Sequence, residues 1–182
     1  MAYETAFLMD TSSVKFGPGS TSEVGFDMKN LGAHRVMVGV DPNLVKSEAC
    51  EKVFTSLKQA GLDAILYDHI RVEPTDLSFK EAIQFATDGK FDGYVALGGG
   101  STMDTTKAAN LYATYPADFL TYVNAPIGKG QPVPGPLSPM IAIPTTAGTG
   151  SETTGVAIFD LLEMHVKTGI AHRALRPQLG IL

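Results

Sequence analysis

The apolar run Tyr94-Val95-Ala96-Leu97 passes directly into Gly98-Gly99-Gly100-Ser101, and a helical pattern follows from Thr102 to Tyr115. A strand, a glycine turn and a helix in immediate succession leave few architectures open. Glycine has no Cβ, so the backbone turns sharply and comes close to whatever lies opposite. The helix that follows begins with unpaired N–H groups and a partial positive charge, which suits an anion such as a pyrophosphate. Three consecutive glycines exceed the need of one turn, because each carries an entropy cost on folding. Ser101 adds a hydroxyl at the cap position. The run is not G-x-G-x-x-G, so the rules of that fingerprint do not transfer unchanged.

The remainder of the chain repeats the strand–helix order. Tyr3–Met9 and Ser13–Phe16 read as two short strands. Ser20–Asn30 reads as a helix, with Ser20 and Glu23 at capping-box spacing and Gly32 after its end. Arg35–Val40 reads as a buried strand. Ala49–Ala60 reads as a helix with Val53, Phe54 and Leu57 on one face and Gly61 as its stop. Ala64–Tyr67 is the next strand. Asp76 can cap a helix that carries Phe79, Ala82, Ile83 and Ala86 on one side and ends at Gly89. The Pro- and Gly-rich stretch 126–139 is a loop. Met140–Ile143 is a strand, and Val156–Asp160 and Met164–Thr168 pair as an antiparallel hairpin. This order specifies an α/β fold: a Rossmann-like, mostly parallel sheet with helices on both faces. Residues 1–182 are expected to form a single domain. The apolar close, Leu179-Gly180-Ile181-Leu182, carries no stop signal and reads as a cut end.

Two further features bear on ligand binding. Asp41 ends the strand Arg35–Val40, and ligands of α/β sheets bind at the carboxyl ends of strands. A carboxylate there accepts hydrogen bonds from a ribose diol and repels a 2′-phosphate, favouring NAD over NADP. Asp41-Pro42-Asn43 is equally good turn chemistry. The stretch from Pro144 to Thr154 holds six hydroxyl residues and two glycines. It contains neither Lys nor Asp, and its hydroxyls and amides can wrap a phosphate or ribose, although a solvated loop with Thr caps is the alternative. Lys167, on a predicted strand, faces either solvent or the cleft.

Composition excludes several classes. The formal net charge is −5, which disfavours nucleic acid as a partner. No apolar run reaches the length of a membrane span. No signal or transit peptide is visible, so the cytoplasm is expected for a bacterial source and the mitochondrial matrix for a eukaryotic one. The single cysteine, Cys50, rules out an internal disulfide and reads as a small core residue. The four histidines, His34, His69, His165 and His172, show no i, i+3 or i, i+4 pairing, so no helix presents two imidazoles to a metal. No G-x-S-x-G elbow is present. The sequence displays cofactor binding well and chemistry poorly.

At Gly98-Gly99-Gly100-Ser101-Thr102-Met103-Asp104, together with the segment Pro144-Thr145-Thr146-Ala147-Gly148-Thr149-Gly150-Ser151-Glu152, the chain resembles the iron-containing (group III) alcohol dehydrogenases. Four other segments, beginning at Arg71, Lys107, Ala125 and Ser151, carry a closer likeness to a branch that passes hydride from a hydroxy acid to an oxo acid. The resemblance implies NAD held by Asp41 at the adenosine ribose and by Gly98, Gly99, Gly100 and Ser101 at the pyrophosphate. It adds Thr145, Thr146 and Thr149 as contacts, Lys167 toward the adenosine ribose and Asp104 close to the cofactor. It implies a small-molecule hydroxy acid such as 4-hydroxybutyrate as donor and an oxo acid such as 2-oxoglutarate as acceptor. The family's metal, Fe2+ or Zn2+, is held by one Asp and three His of an all-helical second domain. Those ligands are expected to be absent here, so no catalytic or metal residue is assigned and the chain alone is expected to be inactive. A truncated or split NAD-binding module, joined by a complementary helical-domain chain or by copies of itself, is one alternative. A dehydroquinate synthase-like enzyme is the other.

Overall fold

The computed structural model describes residues 11–182. The strand expected at Tyr3–Met9 lies outside the described residues. Twelve regular elements follow in chain order: β1 (Ser13–Lys15), α1 (Val24–Asn30), β2 (Arg35–Val40), α2 (Glu48–Gln59), β3 (Asp63–Tyr67), α3 (Asp76–Gly89), β4 (Gly93–Gly98), α4 (Gly100–Thr114), β5 (Met140–Pro144), β6 (Val156–Leu161), β7 (Val166–Ala171) and β8 (Leu179–Ile181). Six strands form one sheet in the order β1-β8-β5-β4-β2-β3, and every pairing in it is parallel. β6 and β7 pair antiparallel as a separate hairpin.

Strand alternation sorts the side chains onto two faces. Val36, Val38 and Val40 of β2 join Val95 and Leu97 of β4 on the face covered by α1 and α2, where Met28, Val53 and Leu57 meet them. Cys50 is buried in the same cluster. Met37, Tyr94, Ala96, Met140 and Ala142 point the other way, against Ala82 and Ala86 of α3 and Met103 and Ala109 of α4. The hairpin packs outside this layer: Phe159 and Ile170 cover Phe79 of α3 and Leu111 of α4. Helix α4 is therefore enclosed on two sides, by the sheet and by the hairpin, and every residue of it from Thr102 to Tyr112 except Asp104 is buried.

Several local readings are corrected. The capping box at Ser20 does not form; that hydroxyl donates to the Gly17 carbonyl at 2.5 Å, and residues 20–23 make a 3₁₀ turn before α1. Asp76 is not the cap of α3. Thr75, one residue earlier and extended, is the cap, and its side chain and that of Ser78 bond reciprocally to each other's backbone N–H. Gly89 is the last helical residue, and the left-handed position beyond it belongs to Lys90. The hairpin's second strand starts at Val166 because residues 162–164 turn first. One element is added to those expected: Leu179–Ile181 forms β8, which sits between β1 and β5 in the sheet.

Candidate functional site

The strand registers set the site. Gly98, the last residue of β4, pairs with Pro144, the last of β5, and Val40 of β2 pairs with Leu97 of β4. The segments that follow β2, β4 and β5 thus leave the sheet along one edge. The chain steps from β2 outward to β3 and then returns to β4 on the other side of β2, so the strand order reverses between β2 and β4. The carboxyl end of such a reversal is where α/β sheets bind ligands.

At this edge the two polar loops meet. The Thr145 N–H donates to the Gly98 carbonyl at 3.0 Å. A Cβ on Gly99 would stand 3.2 Å from Thr146 Oγ1, and one on Gly100 would stand 3.1 Å from Thr149 Cγ2. Gly99 is the cap residue of α4, and no side chain caps this helix. Ser101 is therefore inside the first turn, not at the cap position, and its hydroxyl accepts the Glu73 N–H at 3.3 Å. Uncapped N–H groups at a helix start, with glycines that clear the approach, fit a diphosphate.

Beside the turn lies a cavity of about 320 Å³ whose walls include Gly100, Ser101, Asp104, Thr149, Ser151 and Lys167. Lys167 is 57% exposed at its side chain and pairs with Asp160 across the hairpin at 3.2 Å, so it stands on the cavity wall and in solvent at once. Asp41 is outside this cavity. It lies at the end of β2, where its N–H donates to the Leu97 carbonyl. Its Oδ1 accepts both the backbone N–H and the side-chain amide of Asn43, at 2.9 and 3.0 Å. The turn chemistry is realised, and both bonds use one carboxylate oxygen.

Asp104, expected near the cofactor, belongs to a buried charged network whose other members, Lys107 and Ser151, were not singled out as site residues. Lys107 is fully buried; its Nζ donates to Ser151 Oγ at 2.7 Å and to the Val156 carbonyl at 2.9 Å. Ser151 Oγ donates to Asp104 Oδ1 at 2.7 Å, and the Ile158 N–H donates to Asp104 Oδ2 at 3.0 Å. Burial pushes the Lys107 ammonium down to about 8, against the opposing pull of Asp104 and Glu152. Burial likewise pushes the Asp104 carboxyl above its usual range, although Ser151, the Ile158 N–H and Lys107 all favour its charged form. A signal was available: Asp104 and Lys107 are the only charged residues between Gly100 and Thr114, three positions apart in a helix that has no polar face to spare.

The histidines lie apart. The His34 and His69 rings contact the carboxylates of Asp92 and Glu81, His165 is in the hairpin turn, and His172 accepts the Ala174 N–H. Among the described residues no three metal-capable side chains converge.

A profile described as iron-containing alcohol dehydrogenase matches residues 11–182. The chain belongs to the iron-containing alcohol dehydrogenase family. It is 58% identical over 178 residues to the mitochondrial hydroxyacid-oxoacid transhydrogenase of Mus musculus, a match covering 97% of this chain and 38% of that protein. Among solved structures, an alcohol dehydrogenase from Oenococcus oeni superposes with a TM-score of 0.86 at 29% identity, covering 97% of this chain and 45% of that one. A sulfoacetaldehyde reductase from Bifidobacterium kashiwanohense, in complex with NAD+, superposes with a TM-score of 0.83 at 26% identity, covering 97% and 46%. The chain thus spans less than half the length of these relatives. The iron in the family's name finds no fitting ligand set among the described residues.

Proposed function

We propose that residues 1–182 are the NAD-binding domain of an oxidoreductase that transfers hydride from a hydroxy acid to an oxo acid. The observation that carries this reading is the meeting of the turn at Gly98-Gly99-Gly100-Ser101 with Thr145, Thr146 and Thr149 at the uncapped start of α4. Bound there, the nucleotide would supply a site that accepts a hydride and returns it. The α4 N–H groups and the loop hydroxyls hold its diphosphate without fixed charge. Asp41 offers its second carboxylate oxygen to a ribose diol. Lys167 and Asp104 approach the nucleotide from the cavity side. The high identity to the Mus musculus hydroxyacid-oxoacid transhydrogenase supports a hydroxy acid as donor and an oxo acid as acceptor for the whole protein; 4-hydroxybutyrate and 2-oxoglutarate are the pair that the sequence resemblance implies. The family's name supports Fe2+, with Zn2+ as the other candidate, held by residues outside those described. The mitochondrial naming of the relatives supports the mitochondrial matrix for a eukaryotic source. Among the described residues no helix is long and apolar enough to cross a membrane.

Calorimetric titration of the chain tests the reading. NAD is expected to bind at least about tenfold more tightly than NADP, a preference of about 1.4 kcal/mol, because Asp41 repels a 2′-phosphate. Absence of binding at about millimolar NAD, a standard free energy weaker than about −4 kcal/mol, refutes the site.

A further inference from the structure

Lys107 is fully buried, yet neither hydrogen bond of its ammonium goes to the six-stranded sheet or to its own helix. Both go to the segment that follows β5: to Ser151, forty-four positions away, and to the Val156 carbonyl at the start of β6. Helix α4 does not need this residue for its seat on the sheet, because Met103 and Ala109 bury against Tyr94, Ala96 and Met140. The loop does need it. The near half of the loop is tied to the glycine turn by the Thr145 N–H to Gly98 bond. The far half is tied to α4 through Ser151, which bonds Lys107 on one side and Asp104 on the other. Thr149, which touches Gly100, lies between these two ties. An apolar side chain of similar length would fill the same space without the desolvation that a buried ammonium suffers. Lysine at this position therefore costs stability, and what it adds is a fixed position for the loop and for the Asp104 carboxylate.

We propose that Lys107 is a positioning residue of the nucleotide site: through Ser151 and Val156 it holds the far half of the Thr-rich loop against the start of α4 and fixes Asp104 in the cavity wall. The proposal rests on the reading that this site binds NAD. The charged groups that act on Lys107 are Asp104 from its own helix and Glu152 from the loop. β6 presents only backbone to the network, the Val156 carbonyl to Lys107 and the Ile158 N–H to Asp104. Glu73 and Lys167 face the same cavity from beyond the network. When the ammonium loses its proton, Asp104 keeps a buried negative charge with no counter-charge, beside a site meant for an anion. Nucleotide affinity then falls as pH rises.

The experiment is calorimetric titration with NAD at several pH values on the wild-type chain, on Lys107→Met and on Ser151→Ala, with far-ultraviolet circular dichroism on each. Wild type is expected to lose affinity by about threefold or more between about pH 7 and pH 9.5, a window set by the depressed lysine. Lys107→Met is expected to bind about tenfold more weakly at neutral pH, a loss of about one decade in Kd, and to show no fall with pH. A merely structural role would not remove the pH dependence. If Lys107→Met does not fold, Ser151→Ala decides: it leaves both charges and removes only the tie, and about fivefold weaker binding is expected. A folded variant that binds within about twofold of wild type at every pH overturns the proposal. If wild type binds no NAD, the site reading fails and the positioning role falls with it, a result distinct from wild-type binding that the variants match.

Discussion

Gly98→Ala tests how tightly the glycine turn is built. A Cβ at Gly98 would stand 2.3 Å from Thr102 Oγ1, 2.8 Å from its Cβ and 3.1 Å from its Cγ2. All three atoms belong to one β-branched side chain in the first turn of α4, where χ1 has little freedom. Thr102 is 1% exposed, so it has no open side to turn toward. Overpacking of this kind costs about 1–3 kcal/mol. For a chain of this size that is a fall in Tm of about 2–12 °C, at about 2–4 °C per kcal/mol. The neighbour provides its own control. Thr102 Oγ1 is buried and makes no hydrogen bond, so keeping it already carries a desolvation cost. Thr102→Ala alone is expected to change stability by less than about 1 kcal/mol. In the double variant the 2.8 Å approach to Cβ and the φ of +157° at position 98, which a side chain rarely adopts, both remain, so part of the loss should return, a coupling of about 0.5–1.5 kcal/mol. NAD affinity should follow the same pattern, because the Gly98 carbonyl anchors Thr145. Thermal denaturation and calorimetry on the four proteins measure both. The reasoning is refuted if Gly98→Ala melts with wild type, or if the double variant is no better than Gly98→Ala.

Asp41→Asn keeps an oxygen to accept the Asn43 N–H, so the turn survives and the charge alone is removed. The NAD-over-NADP preference is expected to shrink about tenfold or more, read by calorimetry with both nucleotides. Thr75→Ala opens the reciprocal cap of α3 and should cost about 1 kcal/mol in urea denaturation. Stability should also rise with pH across the window from about 8 toward 10.5. Burial lowers the folded Lys107 pKa to about 8 from an ordinary 10.5, so the unfolded chain binds the extra proton in that window and unfolding is opposed as the proton is lost. Wild-type denaturation midpoints at intervals through this range check the sign, and Lys107→Met should flatten the slope.

The architecture was legible because its signals are local. Arg35–Val40 and Tyr94–Leu97 are apolar runs bounded by turn residues, and the strand–helix alternation leaves a parallel sheet as the only economical closure. The glycine turn and the Thr-rich loop were legible as unusual composition. What was not legible depends on partners distant in sequence. Leu179–Ile181 is too short to show a period and is a strand only because β1 and β5 flank it. Thr75 and Asp76 are adjacent and both able to cap; the extended backbone at Thr75 and the Ser78 hydroxyl decide between them. Lys107 is the instructive miss. A lysine in a helix defaults to solvent, and nothing near it in sequence reveals that a hairpin fifty residues later closes over it.

That closure also explains how one edge of the sheet gathers so much. Parallel strands in register send their following segments to the same rim whatever those segments contain. The pairings Val40 with Leu97 and Gly98 with Pro144 therefore place the Asp41 turn, the glycine turn and the Thr-rich loop side by side before any loop residue acts. The loops then differ in how they are held. The glycine turn is fixed by its strand and its helix, and Asp41 by its own 3₁₀ turn. The loop after β5 enters no helix, and among the described residues its far half is held to α4 by side chains. Register brings all three segments to the rim, but the far half of the third lies beyond its reach, and the Lys107–Ser151–Asp104 ties supply the position that a following helix would otherwise give.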